Sequence, residues 1–236
     1  MCSNTGIGKI YIVGAGPGDP GLVTLRAVEI LNSVSTIYVP RADFKKESLV
    51  LGIIKSVVKD NTVISEINYP VGGGNVFWEK EAARISVGVK NGEKAAFVTL
   101  GDPSIYSVSD YFYRYIRERI PENRIEFIPG ITSVSAGAAI LKTSLVSGRE
   151  RLAIIPLPDN PEIIDGYIDL FDKVVIMKIG RDIDKLIEYL KSRKLEDSTG
   201  FVSRAGLQNE YFENNIGNID SSLGGNLSVA IIDTRR

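Results

Sequence analysis

The chain predicts an α/β fold carried mostly by parallel strands. Three observations lead there. Short β-branched runs alternate with longer helical patterns along the 236 residues. Glycine- and proline-rich loops follow several of the strands. Near the C-terminus two strand patterns occur with no helix between them, so that end of the sheet reads as antiparallel.

The first half is read in order. Lys9 to Val13 is a strand, and Thr24 to Leu31 a helix with Leu25, Val28, Ile30 and Leu31 as its apolar positions. Ser35 to Val39 is a second strand, Glu47 to Val58 a helix, and Thr62 to Tyr69 a third strand. Trp78, Ala82, Ile85 and Val89 stripe a helix that Asn91-Gly92 stops. Ala95 to Leu100 is a buried strand, Ser107 to Arg119 a helix, and Ile125 to Ile128 a short strand. The aromatic cluster Tyr111, Phe112, Tyr113 and Tyr115 has helical spacing, which suits a half-buried face.

A helix of small residues, Thr132 to Leu141, follows Pro129-Gly130, and the pattern then restarts. Arg151 to Leu157, Lys173 to Lys178 and Thr199 to Ser203 are strands. Pro161 to Leu170 and Asp182 to Leu190 are helices. Tyr211 to Asn214 and Leu227 to Asp233 are the closing strands. The break near Pro129 sets a domain boundary, with residues 1–130 as one domain and 131–236 as the other.

Composition removes several chemistries. Hydrophobic residues make up 44% and charged residues 24%, the balance of a globular chain with a real core. Net charge is −1, so no basic field draws nucleic acid. No apolar run approaches the roughly 20 residues that span a bilayer, and the short polar start is not a secretory signal. The chain therefore reads as cytoplasmic. Its single cysteine is Cys2, which leaves no disulfide framework. There is no histidine. A Ser-His-Asp triad, a histidine base and a histidine-ligated zinc site are thereby excluded, and no protein-bound metal is expected.

Three loops carry the functional signal. Val13-Gly14-Ala15-Gly16-Pro17-Gly18-Asp19-Pro20 follows the first strand. It is not a dinucleotide fingerprint: the third glycine comes one position early, and Pro17 and Pro20 keep the chain out of helix. No acidic residue ends the second strand, where the chain runs Tyr38-Val39-Pro40-Arg41 and Arg41 stands just past the strand. Thr99-Leu100-Gly101-Asp102-Pro103-Ser104 and Pro129-Gly130-Ile131-Thr132-Ser133 follow two further strands. All three loops thus belong at carboxyl ends of strands in one sheet, the edge where open α/β sheets bind ligands. The residues by themselves give a ligand crevice and leave the ligand open.

In this order and spacing the loops resemble the tetrapyrrole methylase superfamily, and the resemblance runs from Ile10 to about Ile232. Its precorrin-2 C-20 methyltransferase branch is the most similar. That branch is marked by Val39-Pro40-Arg41, by Trp78 with Ala82 and Ala83, and by Gly101 through Ser107. In the second half the marks are Arg151 through Pro156, Met177 through Arg181, and Arg204 through Leu207 with Glu210. Methylases of uroporphyrinogen III usually carry aspartate where Pro40 stands. The chain departs from the family pattern after Tyr69-Pro70, where it runs Val71-Gly72-Gly73-Gly74-Asn75.

The resemblance implies a two-domain tetrapyrrole methylase fold, with a mostly parallel N-terminal sheet, a mixed C-terminal sheet and the active cleft between them. It implies S-adenosylmethionine as methyl donor. Contacts to it fall on Pro17, Leu100, Gly101, Asp102 and Ile105, and on Thr132, Ser133, Met177 and Ala205. Gly16, Gly18 and Asp19 then border the tetrapyrrole, whose carboxylates call for a cation such as Arg41, with Arg149, Arg151 and Arg204 as lesser candidates. Tyr106 is the candidate for a substrate hydrogen bond or for proton removal after transfer, against an aromatic packed beneath its loop. Asp102 either orients the cofactor or is a turn aspartate that accepts backbone N–H bonds. The implied reaction is methyl transfer to C-20 of precorrin-2 or its cobalt complex, by a homodimer. Its alternatives are methylation of another ring carbon or acceptor, a nicotinamide-dependent oxidoreductase, and a corrinoid carrier.

Overall fold

The computed structural model describes residues 6–42, 47–70, 74–220 and 227–235. Cys2 and the stretch Val71-Gly72-Gly73 lie outside the described residues. The chain divides after Thr132 into two compact units, each with its own five-stranded sheet. No helix among the described residues is long and apolar enough to cross a membrane.

The first unit holds β1 (Lys9–Gly14), β2 (Thr36–Arg41), β3 (Val63–Asn68), β4 (Lys94–Thr99) and β5 (Ile125–Ile128). They are all parallel, in the order β3-β2-β4-β1-β5. Its helices are α1 (Leu25–Leu31), α2 (Leu49–Ile54), α3 (Asn75–Lys90) and α4 (Ser109–Ile116). Strand side chains alternate between two cores. Tyr11 and Val13 of β1 pack with Ala27, Leu31 and Ile53 of α1 and α2. Ile10 and Ile12 pack with Trp78, Ile85 and Phe112 of α3 and α4. The inner strands β1, β2 and β4 are covered on both faces, which is why they read as nearly unbroken apolar runs. On the second face Trp78 lies 5.3 Å from the Tyr69 ring and 6.1 Å from Phe97. Phe97 stacks on Phe112 at 4.2 Å.

This topology creates a switch point. The connection after β1 crosses one face through α1 to reach β2, and the connection after β4 crosses the other through α4 to reach β5. β1 and β4 are neighbours, so their outgoing loops part in opposite directions at their carboxyl ends.

The second unit holds α5 (Ser133–Ile140), β6 (Leu152–Pro156), α6 (Ile164–Ile168), β7 (Lys173–Met177), α7 (Ile183–Ser192), β8 (Thr199–Ser203), β9 (Tyr211–Glu213) and β10 (Ser228–Asp233). The order is β6-β7-β10-β8-β9. β6 and β7 are parallel, β10 is antiparallel to both its neighbours, and β9 is antiparallel to β8. Antiparallel pairing thus enters at the centre of the sheet as well as at its β9 edge. The small residues of α5 let it lie close on the strands: a Cβ at Gly137 would stand 2.7 Å from Val229 Cγ2. The opposite face packs Ile164, Ile183, Leu186 and Leu190 against Val174, Ile176, Phe201 and Ala230.

Three helices differ in their ends from the sequence reading. The helix expected over Glu47 to Val58 is Leu49–Ile54, begun by Ser48, whose hydroxyl accepts from Leu51 N–H at 3.4 Å. The one expected from Pro161 starts as a short 3-10 turn capped by Asn160 and becomes α6 at Ile164. The one expected over Ser107 to Arg119 is shortened to Ser109–Ile116.

In the second unit Asp165 accepts from Arg193 at 2.6 and 2.9 Å and from Tyr189 Oη at 2.7 Å. These partners, Arg193 foremost, hold its carboxyl down to about 2. A carboxyl whose folded value is depressed adds stability above its unfolded value, near 4, and loses it as pH falls through the folded value. Thermal melts from pH 5 to pH 2 are expected to fall less steeply in Asp165→Asn than in the wild type.

Candidate active site

The three motif loops meet in the first unit at the carboxyl ends of adjacent strands, β4-β1-β5. Ala15 N–H donates to Thr99 C=O at 2.8 Å. Gly16 and Gly101 then pair as a bridge, with Gly101 N–H to Gly16 C=O at 2.7 Å and the reverse bond at 3.2 Å. Gly16 (φ 79°) and Gly101 (φ 70°) are both left-handed, a conformation that suits glycine. At Gly14 and Gly130 the requirement is space. A Cβ on Gly14 would stand 2.5 Å from Gly101 O, and one on Gly130 would stand 2.3 Å from the same oxygen. The backbones approach more closely there than any side chain allows.

Asp102 fastens this junction. It is 9% exposed. Its Oδ2 accepts from Gly130 N–H at 2.9 Å, and its Oδ1 from Ser104 N–H at 2.8 Å and from the Ser104 hydroxyl. Both carboxylate oxygens are committed to holding loops, the turn role that the sequence allowed. Beyond the junction, Thr99 Oγ1 and Ser107 Oγ lie 2.8 Å apart, and Ser109 Oγ is 2.8 Å from both Ser107 Oγ and Pro103 O. Tyr106 has φ 48° and is 42% exposed, so it is not packed beneath the loop.

The other expected residues are distributed as follows. Pro17 and Gly18 are buried at the turn, while exposed Asp19 caps a short 3-10 turn by accepting from Gly21 N–H at 2.7 Å. Leu100 and Ile105 are half-buried on the Asp102 loop. Thr132 is the last residue of the first unit and Ser133 the first of α5. In the second unit Met177 ends β7 and Ala205 follows β8. β7 and β8 both run antiparallel to β10, so these two residues share one edge of that sheet. The sequence reading put Arg41 just past the second strand. It is the last residue of β2, paired to Asn68, because the strand continues through Pro40 past the end of its β4 ladder at Tyr38. Its guanidinium is ion-paired with Glu66 at 2.9 Å. Arg151 pairs with Asp172 at 3.6 Å, and Arg204 donates to Gln208 C=O at 3.2 Å.

Sequence reasoning missed the close contact at Gly14 and Gly130, and the hydroxyls of Thr99, Ser107 and Ser109. The glycines left a signal, since each follows or ends a strand. The hydroxyls are dispersed over a strand, a loop and a helix and have no periodicity to find. Among the described residues no group of three acidic, cysteine or histidine residues is placed to hold a metal ion. The junction offers backbone N–H and C=O groups and few titratable side chains. It can bind and orient a ligand, and contains no evident activated nucleophile.

Gly130→Ala is expected to cost about 1–3 kcal/mol in denaturant unfolding, because its Cβ meets backbone that cannot move aside. Gly52→Ala in α2, where a Cβ meets nothing within 4 Å, is expected to gain about 0.5–1 kcal/mol.

Comparison with known proteins gives a consistent outcome. The family described as Tetrapyrrole (Corrin/Porphyrin) Methylases matches residues 9–220. A probable cobalt-precorrin-2 C(20)-methyltransferase of Methanocaldococcus jannaschii is 34% identical over 86% of this chain and 85% of its own. The cobalt-precorrin-2 C(20)-methyltransferase of Salmonella typhimurium is 30% identical, covering 86% of each chain. In fold, the chain is similar to uroporphyrin-III C-methyltransferase from Thermus thermophilus complexed with S-adenosylhomocysteine. That likeness has a TM-score of 0.67 at 18% identity, over 95% of this chain and 97% of the other.

Proposed function

This chain belongs to the tetrapyrrole (corrin/porphyrin) methylases, and from that premise we propose that it methylates C-20 of precorrin-2, with the cobalt complex as the preferred form. The meeting of three motif loops at one switch point carries the reading, and the names of the two relatives support the ring position and the cobalt. S-adenosylmethionine supplies a methyl group on a sulfonium. The C-20 carbon of the ring provides the electron pair for the new bond, the carbon–sulfur electrons stay on sulfur as a thioether, and the C-20 hydrogen leaves as a proton.

The protein's part is alignment, which can lower such a barrier by about 7–11 kcal/mol. The donor's contacts are assigned to Pro17, Leu100, Gly101, Asp102 and Ile105, mainly through backbone. Thr132, Ser133, Met177 and Ala205 are assigned to the same ligand. A surface of backbone groups fits a ligand rich in hydroxyl, amine and ring nitrogen groups. Gly16, Gly18 and Asp19 border the tetrapyrrole. Arg41 takes one of its carboxylates, at the expense of its present bond to Glu66. Tyr106, exposed on the Asp102 loop, assists at the ring edge. In the same reading the enzyme is a cytoplasmic homodimer.

The test is an anaerobic assay with methyl-labelled S-adenosylmethionine, offering metal-free and cobalt-loaded precorrin-2 separately and locating the label by carbon NMR. Label at C-20, faster with cobalt, is the expected result. Label at another ring carbon overturns the position and keeps the family chemistry. Arg41→Ala is expected to raise the tetrapyrrole KM about tenfold or more, as the loss of one charged hydrogen bond does. An unchanged KM removes Arg41 from the site.

A further inference from the structure

We propose that Thr99, Ser107 and Ser109 form a hydroxyl clamp that holds Tyr106 in its left-handed turn, and that Ser107 is thereby a positioning residue for the tetrapyrrole end of the site. The identity of that ligand rests on the function proposed above; the clamp itself does not.

The segment between β4 and α4 is held unequally. Its first half is fixed by backbone and carboxylate: Gly101 pairs with Gly16, and Asp102 reaches Gly130 and Ser104. Its second half, Ile105 to Val108, contains Tyr106 at φ 48°. A bulky residue stays in the left-handed region only where its surroundings fix it there. The hydroxyls contribute to that constraint on both sides. Ser109 Oγ holds Pro103 O before the turn at 2.8 Å, and Ser107, the residue after Tyr106, is held 2.8 Å from both Thr99 Oγ1 and Ser109 Oγ.

The donors within the cluster follow from its geometry. Each hydroxyl carries one hydrogen, and a carbonyl only accepts. Ser109 Oγ therefore shares its hydrogen between Pro103 O and Ser107 Oγ, and the Thr99–Ser107 hydroxyl pair is closed by a hydrogen from either partner. The Ser107 oxygen also accepts from Ser109 N–H at 3.2 Å. Ser107 is the link on which both ends depend. Thr99 is 3% exposed and Ser109 0%, so water has little access to replace a lost partner.

With the clamp closed, the phenol of Tyr106 leaves the loop in one direction. With it open, the backbone at Tyr106 relaxes toward negative φ and the phenol swings away. The donor's part of the loop keeps its own fastenings, so the two ligands are expected to respond differently.

The test compares Ser107→Ala and Ser107→Thr in the full chain. Hydrogen exchange reads the clamp without any ligand. Ser107→Ala is expected to speed exchange of the Tyr106–Ser109 amides about tenfold, with the 128–131 loop unchanged, while Ser107→Thr stays near wild type. The tetrapyrrole KM is expected to rise about tenfold in Ser107→Ala, with S-adenosylhomocysteine affinity by calorimetry within about threefold of wild type and rescue by Ser107→Thr. Thr99→Val, which keeps the shape and removes the outer hydroxyl, shifts exchange in the same direction by less. Unchanged exchange, equal weakening of both ligands, or no rescue by threonine overturns the clamp. A wild-type protein that transfers methyl to neither tetrapyrrole overturns the function, and exchange still decides the clamp.

Discussion

Asp102 joins two loops with one carboxylate, and the geometry of the parallel sheet's carboxyl edge follows from that constraint. Its oxygens reach Gly130 on the loop after β5 and Ser104 on its own loop. The bridge between Gly16 and Gly101 ties in the loop after β1. With three backbones drawn together, no Cβ fits at Gly14 or Gly130. The charge is spent on architecture. Three segments distant in sequence become one surface of peptide groups, and the adjoining Pro103 inherits its position from it.

That surface suits a reaction in which the reactants carry the reactivity. A sulfonium is already a leaving group, and an electron-rich ring carbon is already a nucleophile. What remains for the protein is to hold the pair in line. A chain without histidine, whose buried aspartate is committed to its loops, is consistent with that division of work.

Much of the parallel sheet was legible in the sequence because its inner strands, β1, β2 and β4, are covered on both faces and so appear as nearly unbroken apolar runs. Ile125–Ile128 and Thr199–Ser203 were placed residue for residue. The loops were legible because glycine and proline punctuate them. Helix ends were less so, since Ser48 and Asn160 act through single hydrogen bonds that periodicity does not register. The central position of β10 was not visible: sequence order says that a strand comes last, and does not say between which neighbours it inserts. The seating of Arg41 within β2 was missed because proline usually argues against a strand, while here the β4 ladder has ended before Pro40 needs a donor. The hydroxyl cluster at Thr99, Ser107 and Ser109 exists only once β4 and α4 are in place.

The place of β10 also sets a timetable for synthesis. The parallel sheet is complete once Ile128 has been made, so the first unit can assemble while the rest of the chain is still being translated. The second unit cannot do the same. Its middle strand is Ser228–Asp233, and until that strand emerges β7 and β8 have no common neighbour and expose open edges. A ribosome stalled within this region leaves a finished first unit attached to an unclosed sheet, a form open to unwanted strand pairing.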